Sequence, residues 1–290
     1  MAGGDFYTAK NDGAVDIGDQ YKGTGSGENT TLTADQFHQH GNVQVMQSWE
    51  MPYMHALAEA VVKHLKANKE ALIAHGKISV LEIGFGLGLS ATRLQEEMQG
   101  LVAEFGNKLV EHHVIELNDA VYANLEKFAA EEAEKGRATV VPHKGNWKDV
   151  VQGLIGKERF SGLLYDPFPT CKEEQHFHQL MFISDQHAGP LLHQGGAFVY
   201  CNLTSLGVLV AERAGDWEKV WAETQKPHLL GQKFAILGTE YSCTGFADES
   251  VGYSLFKITD DMKVKRTEQE CNYYGGDIHD FALVPVCVKQ

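Results

Sequence analysis

One stretch limits what this chain can fold into more than any other: Val80-Leu81-Glu82-Ile83-Gly84-Phe85-Gly86-Leu87-Gly88-Leu89. A hydrophobic run with β-branched residues ends in three alternating glycines, and a helix-like segment from Leu89 to Met98 follows. That order predicts a strand, a tight turn and a helix start. Glycines in such a turn let the backbone approach a nucleotide-like ligand with no Cβ in the way. The dinucleotide pattern G-x-G-x-x-G would need glycine at position 89, where Leu89 stands. An ordinary strand-to-helix turn is the competing reading, because such turns are common.

The chain beyond this point keeps alternating. Strands are expected over 78–83, 109–116, 138–143, 160–166 and 196–202, and helices over 89–101, 119–134, 147–155 and, for the most part, 175–192. Strands separated by helices imply a mainly parallel sheet covered on both faces. Later segments at 232–241, 252–258 and 281–288 also read as strands, eight strand-like segments in all, for an expected sheet of seven strands. Ahead of the first strand, Val45, Met46, Trp49, Tyr53, Met54, Leu57 and Val61 recur at helical spacing, with Pro52 bending or restarting a helix within 43–67. Residues 1–40 are polar and glycine-rich and read as an arm or lid on a domain spanning 41–290.

Charge and composition exclude several function classes. The net charge of −14 opposes phosphate-backbone binding, so nucleic acid is not an expected partner, and it favours a small cationic substrate. No apolar run approaches the roughly 20 residues that span a bilayer. The N-terminus has neither the basic flank nor the apolar core of a signal peptide. Five scattered cysteines, an odd number, fit reduced thiols and a cytoplasmic location. Cys171, His176 and His178 can be drawn as a metal site, but a helix start accounts for them more simply, and no metal is expected.

In an open α/β sheet, ligands bind beyond the carboxyl ends of the strands. Those ends carry Gly84–Gly88, then Glu116-Leu117-Asn118-Asp119, then Gly145-Asn146-Trp147, then Tyr165-Asp166-Pro167-Phe168-Pro169. Glu116 lies where an acid can accept both hydroxyls of a ribose, while Asn118 and Asp119 suit the following helix cap. Trp147 can stack near an adenine or be an ordinary buried aromatic. Asp166 and its neighbours are expected to face the ligand. The Glu82-x-Gly-x-Gly-x-Gly run is similar to the first motif of S-adenosylmethionine (SAM) dependent methyltransferases.

From about residue 40 onward the chain resembles the guanidinoacetate N-methyltransferase family. The matching stretches are Trp49-Glu50-Met51-Pro52-Tyr53-Met54-His55-Ala56-Leu57-Ala58, Leu81–Gly86, Ile115–Asp119, Leu164-Tyr165-Asp166 with Pro169, Tyr200-Cys201-Asn202-Leu203-Thr204-Ser205, Glu223-Thr224-Gln225 with Pro227, and Cys271-Asn272-Tyr273-Tyr274. The resemblance implies a Rossmann-like class I methyltransferase with SAM as cofactor and S-adenosylhomocysteine as product. It implies a donor pocket made from Met54, Glu82, Gly84, Gly86, Gly88, Glu116, Asn146, Trp147 and Tyr165. It assigns the guanidino-binding carboxylates to Glu50 and Asp166, the substrate carboxylate to the Leu203–Thr204 backbone, and a place beside the acceptor to Phe168. A guanidinium suits such a pair, because its forked donors match carboxylates. Its pKa exceeds about 12, so localising its charge on two nitrogens and taking a proton from the third are what make it a nucleophile. Without the resemblance, Glu50 reads as a solvated helix residue and Asp166 as a turn residue before proline.

The chain departs from the family pattern at Lys148, Pro167, Phe168 and Leu206, and it carries added sequence within 228–270, where 262–266 also looks strand-like. The reaction expected is methylation of a guanidino group on a small acid, guanidinoacetate first. The alternatives are another guanidino or amidino compound, including an arginine side chain, and a SAM-binding regulator without turnover. Sequence leaves the oligomeric state open.

Overall fold

The computed structural model describes residues 46, 48–169, 174, 177–203, 207–268 and 280–290. The expected lid at 1–40 lies outside these residues, as do Cys171, His176, Thr204, Leu206 and Cys271–Tyr274.

The chain enters through a 3₁₀ turn, Ser48–Glu50, that leads into α1, Met51–Ala67. Pro52 stands in the first turn of α1, where its missing N–H removes no helical hydrogen bond. Tyr53, Met54, Leu57, Ala58, Val61, Val62 and Leu65 form the buried stripe of this helix. Each large apolar side chain sealed in this way stabilises the fold by about 1.5–3 kcal/mol. A short helix α2, Lys69–Ile73, then leads to β1, Ile78–Ile83.

Beyond β1 come α3, Leu89–Glu97, and α4, Gln99–Phe105. Sequence periodicity joined these two; the chain breaks at Met98, whose side chain is fully buried. Then follow β2, Val110–Glu116; α5, Asp119–Glu134; β3, Thr139–Lys144; α6, Trp147–Leu154; and β4, Phe160–Tyr165. The long helix expected over 175–192 is instead two single turns, α7 at His178–Phe182 and α8 at Ala188–Leu191. Side-chain bonds win there: Ser184 Oγ pairs with His187 Nδ1 at 3.1 Å, and Asp185 accepts the N–H and hydroxyl of the distant Thr244 at 3.0 and 2.9 Å. Strand β5, Leu192–Tyr200, starts four residues earlier than expected.

After β5 come α9, Gly207–Glu212; α10, Trp217–Val220; a π turn, Trp221–Gln225; and α11, Lys226–Leu229. The expected strand at 232–241 is a separate small hairpin, β6 at Phe234–Ile236 and β7 at Thr239–Tyr241, turned by Leu237 and Gly238 at positive φ. Strand β8, Phe246–Lys257, is longer than the sequence suggested. The strand-like 262–266 segment lies inside a helix, α12, Asp260–Glu268, capped by Thr259 Oγ1 accepting the Met262 N–H at 3.2 Å. The last strand, β9, is Phe281–Lys289.

The main sheet has the order β3-β2-β1-β4-β5-β9-β8. The first five strands are parallel, and β9 runs antiparallel between β5 and β8. Strand order reverses between β1 and β4, so the chain opens a crevice beyond their carboxyl ends. Strand alternation divides the core. Val80, Val114, Leu164 and Val199 pack against α1, α3 and α5 on one face. Leu81, Ile83, Ile115, Leu163, Tyr165 and Phe198 pack against α6, α7 and the segment after β5 on the other. No described helix is long and apolar enough to cross a membrane.

Candidate active site

Pairing brings four strand ends level. Ile83 stands beside Ile115 and Tyr165, and Tyr165 beside Tyr200. One residue further on, the ladder continues with Gly84 N–H to Ile115 O at 2.9 Å, Asp166 N–H to Ile83 O at 3.0 Å and Cys201 N–H to Tyr165 O at 2.9 Å. Gly84, Glu116, Asp166 and Cys201 therefore form one row. The two-residue period aims them at the face that carries α1.

The glycine turn is shaped by close approach. A Cβ on Gly84, whose φ is +91°, would stand 2.6 Å from the carbonyl oxygen of Asp166. Gly88 begins α3 in the left-handed region, at φ +69°. Changing Gly88 to alanine is expected to destabilise the protein by about 1–2 kcal/mol, read from the urea midpoint at unchanged m-value. Met46, which sequence periodicity assigned only to an apolar helix face, lies over this turn. Its sulfur accepts the Leu87 N–H at 3.2 Å, and it sits 2.7 Å from where a Gly86 Cβ would be.

Glu116 closes the turn from the side of β2. Its carboxylate accepts Phe85 N–H at 3.0 Å and Asn118 N–H at 2.7 Å. Burial raises its pKa, and these backbone bonds, with one from Gly86, oppose the rise. Asn118 caps α5 through its Oδ1, as expected of it, while its buried Nδ2 has no partner among the described residues. That orphaned donor lies beside Glu116 in sequence and is what a ligand acceptor would satisfy.

Glu82 is completely buried. It accepts the Ser90 hydroxyl at the start of α3 and pairs with His112 Nε2 at 2.9 Å. Its carboxylate thus ties β1 to α3 and β2. Asn146 caps α6 by accepting Lys148 N–H at 3.0 Å. Trp147 is buried among Tyr165, Phe182 and His187, with ring centroids at 5.6, 5.5 and 5.0 Å. These contacts make it part of the aromatic core on this face. Tyr165 stacks on Phe182 at 4.3 Å and pairs with His178 Nδ1 at 3.1 Å. Its side chain is on the opposite face from Asp166, contrary to the expectation that Asp166 and its neighbours face one ligand together. Lys148 is paired with Glu174.

On the α1 face the acidic centre assembles. Glu50 is 6% exposed, which rules out the solvated helix residue that sequence alone favoured. Met54 is fully buried below it. Asp166 is half-buried, and burial pushes its carboxyl up to about 7; the Cys201 thiol donates to it and opposes the rise, while the negative Glu82 adds to it. Burial also raises the Cys201 thiol strongly, helped by the charges of Asp166 and Glu50. The Tyr53 hydroxyl feels both Cys201 and Asp166. Leu203 is buried and its N–H donates to Cys201; Phe168 is half-buried. Cys201 and Tyr53 were visible in the matching motifs but carried no assigned role. Among the described residues no group of three His, Cys, Asp or Glu side chains could hold a metal ion.

A parallel sheet reversing between β1 and β4, an antiparallel strand between β5 and β8 and a glycine turn at the crevice define a Rossmann-like class I methyltransferase, with SAM as its methyl donor. The chain belongs to the guanidinoacetate N-methyltransferase family, whose sequence model matches residues 27–290. Two curated relatives are each called protein arginine N-methyltransferase 2. The one from Emericella nidulans is 28% identical over 152 residues, 52% of this chain and 29% of the relative. The one from Yarrowia lipolytica is 30% identical over 176 residues, 60% of this chain and 30% of the relative. The chain thus spans about 30% of the length of either relative. The solved O-methyltransferase TomG from Streptomyces achromogenes, in complex with SAM, aligns at 14% identity and TM-score 0.45 over 90% of this chain and 88% of its own.

Proposed function

We propose that this methyltransferase transfers a methyl group to a guanidino nitrogen of a small acid, guanidinoacetate being the first candidate. The observation that carries the reading is that two carboxylates, buried Glu50 and half-buried Asp166, both act on the Cys201 thiol. A cation held by two such carboxylates offsets the cost of taking their charges out of water. A planar guanidinium meets both, with two forked N–H edges.

In this reading Gly84, Gly86 and Gly88 admit the donor closely, and Glu116 takes its ribose hydroxyls. Asn118 Nδ2 supplies a further donor bond. SAM, when bound, would supply an electrophilic methyl on a sulfonium, the S–C bond breaking as the N–C bond forms, with S-adenosylhomocysteine as the product. Glu50 and Asp166 hold the guanidinium so that its charge rests on the two nitrogens they face. The third nitrogen keeps a lone pair toward the methyl. As the new N–C bond forms, Asp166 accepts the proton that the nitrogen loses. Its elevated pKa suits a group that must both release and hold a proton near neutrality. The Leu203–Thr204 backbone holds the acceptor's carboxylate, and Phe168 borders it. The cytoplasm is the proposed compartment.

The names of the two curated relatives favour a second reading, in which the acceptor is an arginine side chain. Labelled SAM with guanidinoacetate, longer guanidino acids, free arginine and an arginine-rich peptide separates the two. Methylation of guanidinoacetate at the highest kcat/KM upholds the first reading. Methylation of the peptide alone upholds the second. SAM binding without transfer to any of them leaves a regulator and removes both.

A further inference from the structure

The turn after β5 carries Cys201, Asn202 and Leu203, and side chains from two distant segments, α1 and the π turn, hold it. Tyr53 on α1 accepts the Asn202 N–H at 2.9 Å and donates its hydroxyl to Leu283 O on β9 at 2.6 Å. Tyr200 donates to Gln225 Oε1 at 2.6 Å, and Gln225 Nε2 donates to Asn202 Oδ1 at 3.3 Å. Tyr53, Tyr200, Asn202 and Gln225 are each at most 2% exposed. Gln225 ends the π turn Trp221–Gln225, a local irregularity of the kind that often marks functional sites.

Only a side-chain amide meets both demands at this position. The Tyr200 hydroxyl needs an acceptor, and Asn202 Oδ1 needs a donor. Glutamate would set one oxygen against another. Methionine would leave two buried polar groups unpaired. The network ends at the backbone of residues 201–203, two strands along the row from Gly84 and three from Glu116. It also ties that backbone to α1, the helix that Glu50 begins.

We infer that Gln225 is a positioning residue for the acceptor: through Asn202 it fixes the turn that orients the acceptor's carboxylate against the Glu50–Asp166 pair. The inference rests on the proposed reading of that turn as the acceptor site. Displacement of a positioning group by about an ångström costs on the order of 100-fold in productive alignment. The loss should fall on the acceptor and spare the donor.

The test is Gln225→Met in the full chain, with SAM affinity by titration, KM and kcat for the best guanidino acceptor, and hydrogen exchange at the Asn202 amide. The expected result is an acceptor KM raised by about 10- to 100-fold, SAM affinity within about threefold, and exchange at least about tenfold faster. Tyr200→Phe added to it should cost little more, since one network is already broken. Unchanged KM and exchange would overturn the inference, as would equal losses toward SAM and acceptor. Should Gln225→Met not fold, Tyr200→Phe alone should raise acceptor KM by about 3- to 10-fold with the same sparing of SAM; no change there overturns it too. If the unmutated protein methylates no guanidino compound, the acceptor reading fails, and the Asn202 exchange rate still decides whether Gln225 fixes the turn.

Discussion

Asp166→Asn is expected to lower kcat by about 10²–10⁴-fold while SAM affinity changes little. The substitution keeps the size of the side chain and an acceptor for the Cys201 thiol, but removes the charge and the basicity. In the unmutated protein, kcat/KM, which reports ionisation in the free enzyme, should rise with pH through about 7, because the carboxyl must be ionised to take the proton. A bound guanidinium favours the ionised form, so the same limb in kcat should lie at lower pH. The stability sign is opposite. Between the ordinary carboxyl range and about 7, folded Asp166 holds a proton that the unfolded chain has released, so this group costs stability as pH rises through that window. Asp166→Asn removes that cost. A lost rate with an undiminished melting temperature is therefore the expected pattern; near wild-type turnover would refute the proton transfer. Glu50→Gln should also lower turnover, with a larger share in acceptor KM, and the two losses should not add.

Glu116→Ala should weaken SAM binding by about 1.5–3 kcal/mol. The carboxylate plays two parts in that estimate. It is the proposed partner of the ribose hydroxyls, and it already accepts the N–H groups of Phe85 and Asn118. Truncation leaves those N–H groups without a partner and loosens the glycine turn at its second residue. Glu116→Gln keeps one acceptor oxygen and should lose less. Titration calorimetry measures both. Equal SAM affinity in wild type and Glu116→Ala would remove Glu116 from the donor site.

The α/β core was legible because its signals are local. Ile78–Ile83 and Asp119–Glu134 match their expected bounds residue for residue, the first a mostly apolar strand and the second an amphipathic helix behind a capping asparagine. The failures share a cause. At 175–192 a helical pattern gave way to side-chain bonds with Thr244, which is 59 residues away from Asp185. At 262–266, apolar Met262 joins Ile258 in the core from a helix rather than a strand. Short segments take their form from the neighbour they pack against, and periodicity holds no record of that neighbour.

The sequence by itself determined the glycine turn, the acid at the end of β2, the motifs that carry Glu50 and Asp166, and the family, because each is a matter of residue type at fixed spacing. It also contained the two-residue strand period that sends Asp166 toward α1 and Tyr165 to the opposite face. Only the tertiary structure decided how those pieces meet. Register sets Gly84, Glu116, Asp166 and Cys201 in one row. Packing buries Glu50 and sinks Trp147 into an aromatic cluster. Hydrogen bonds spanning 149 residues from Tyr53 to Asn202 and 230 from Tyr53 to Leu283 lock the β5 turn to α1. Burial and the neighbouring charges then move Asp166 toward neutrality, and those neighbours are supplied by the fold.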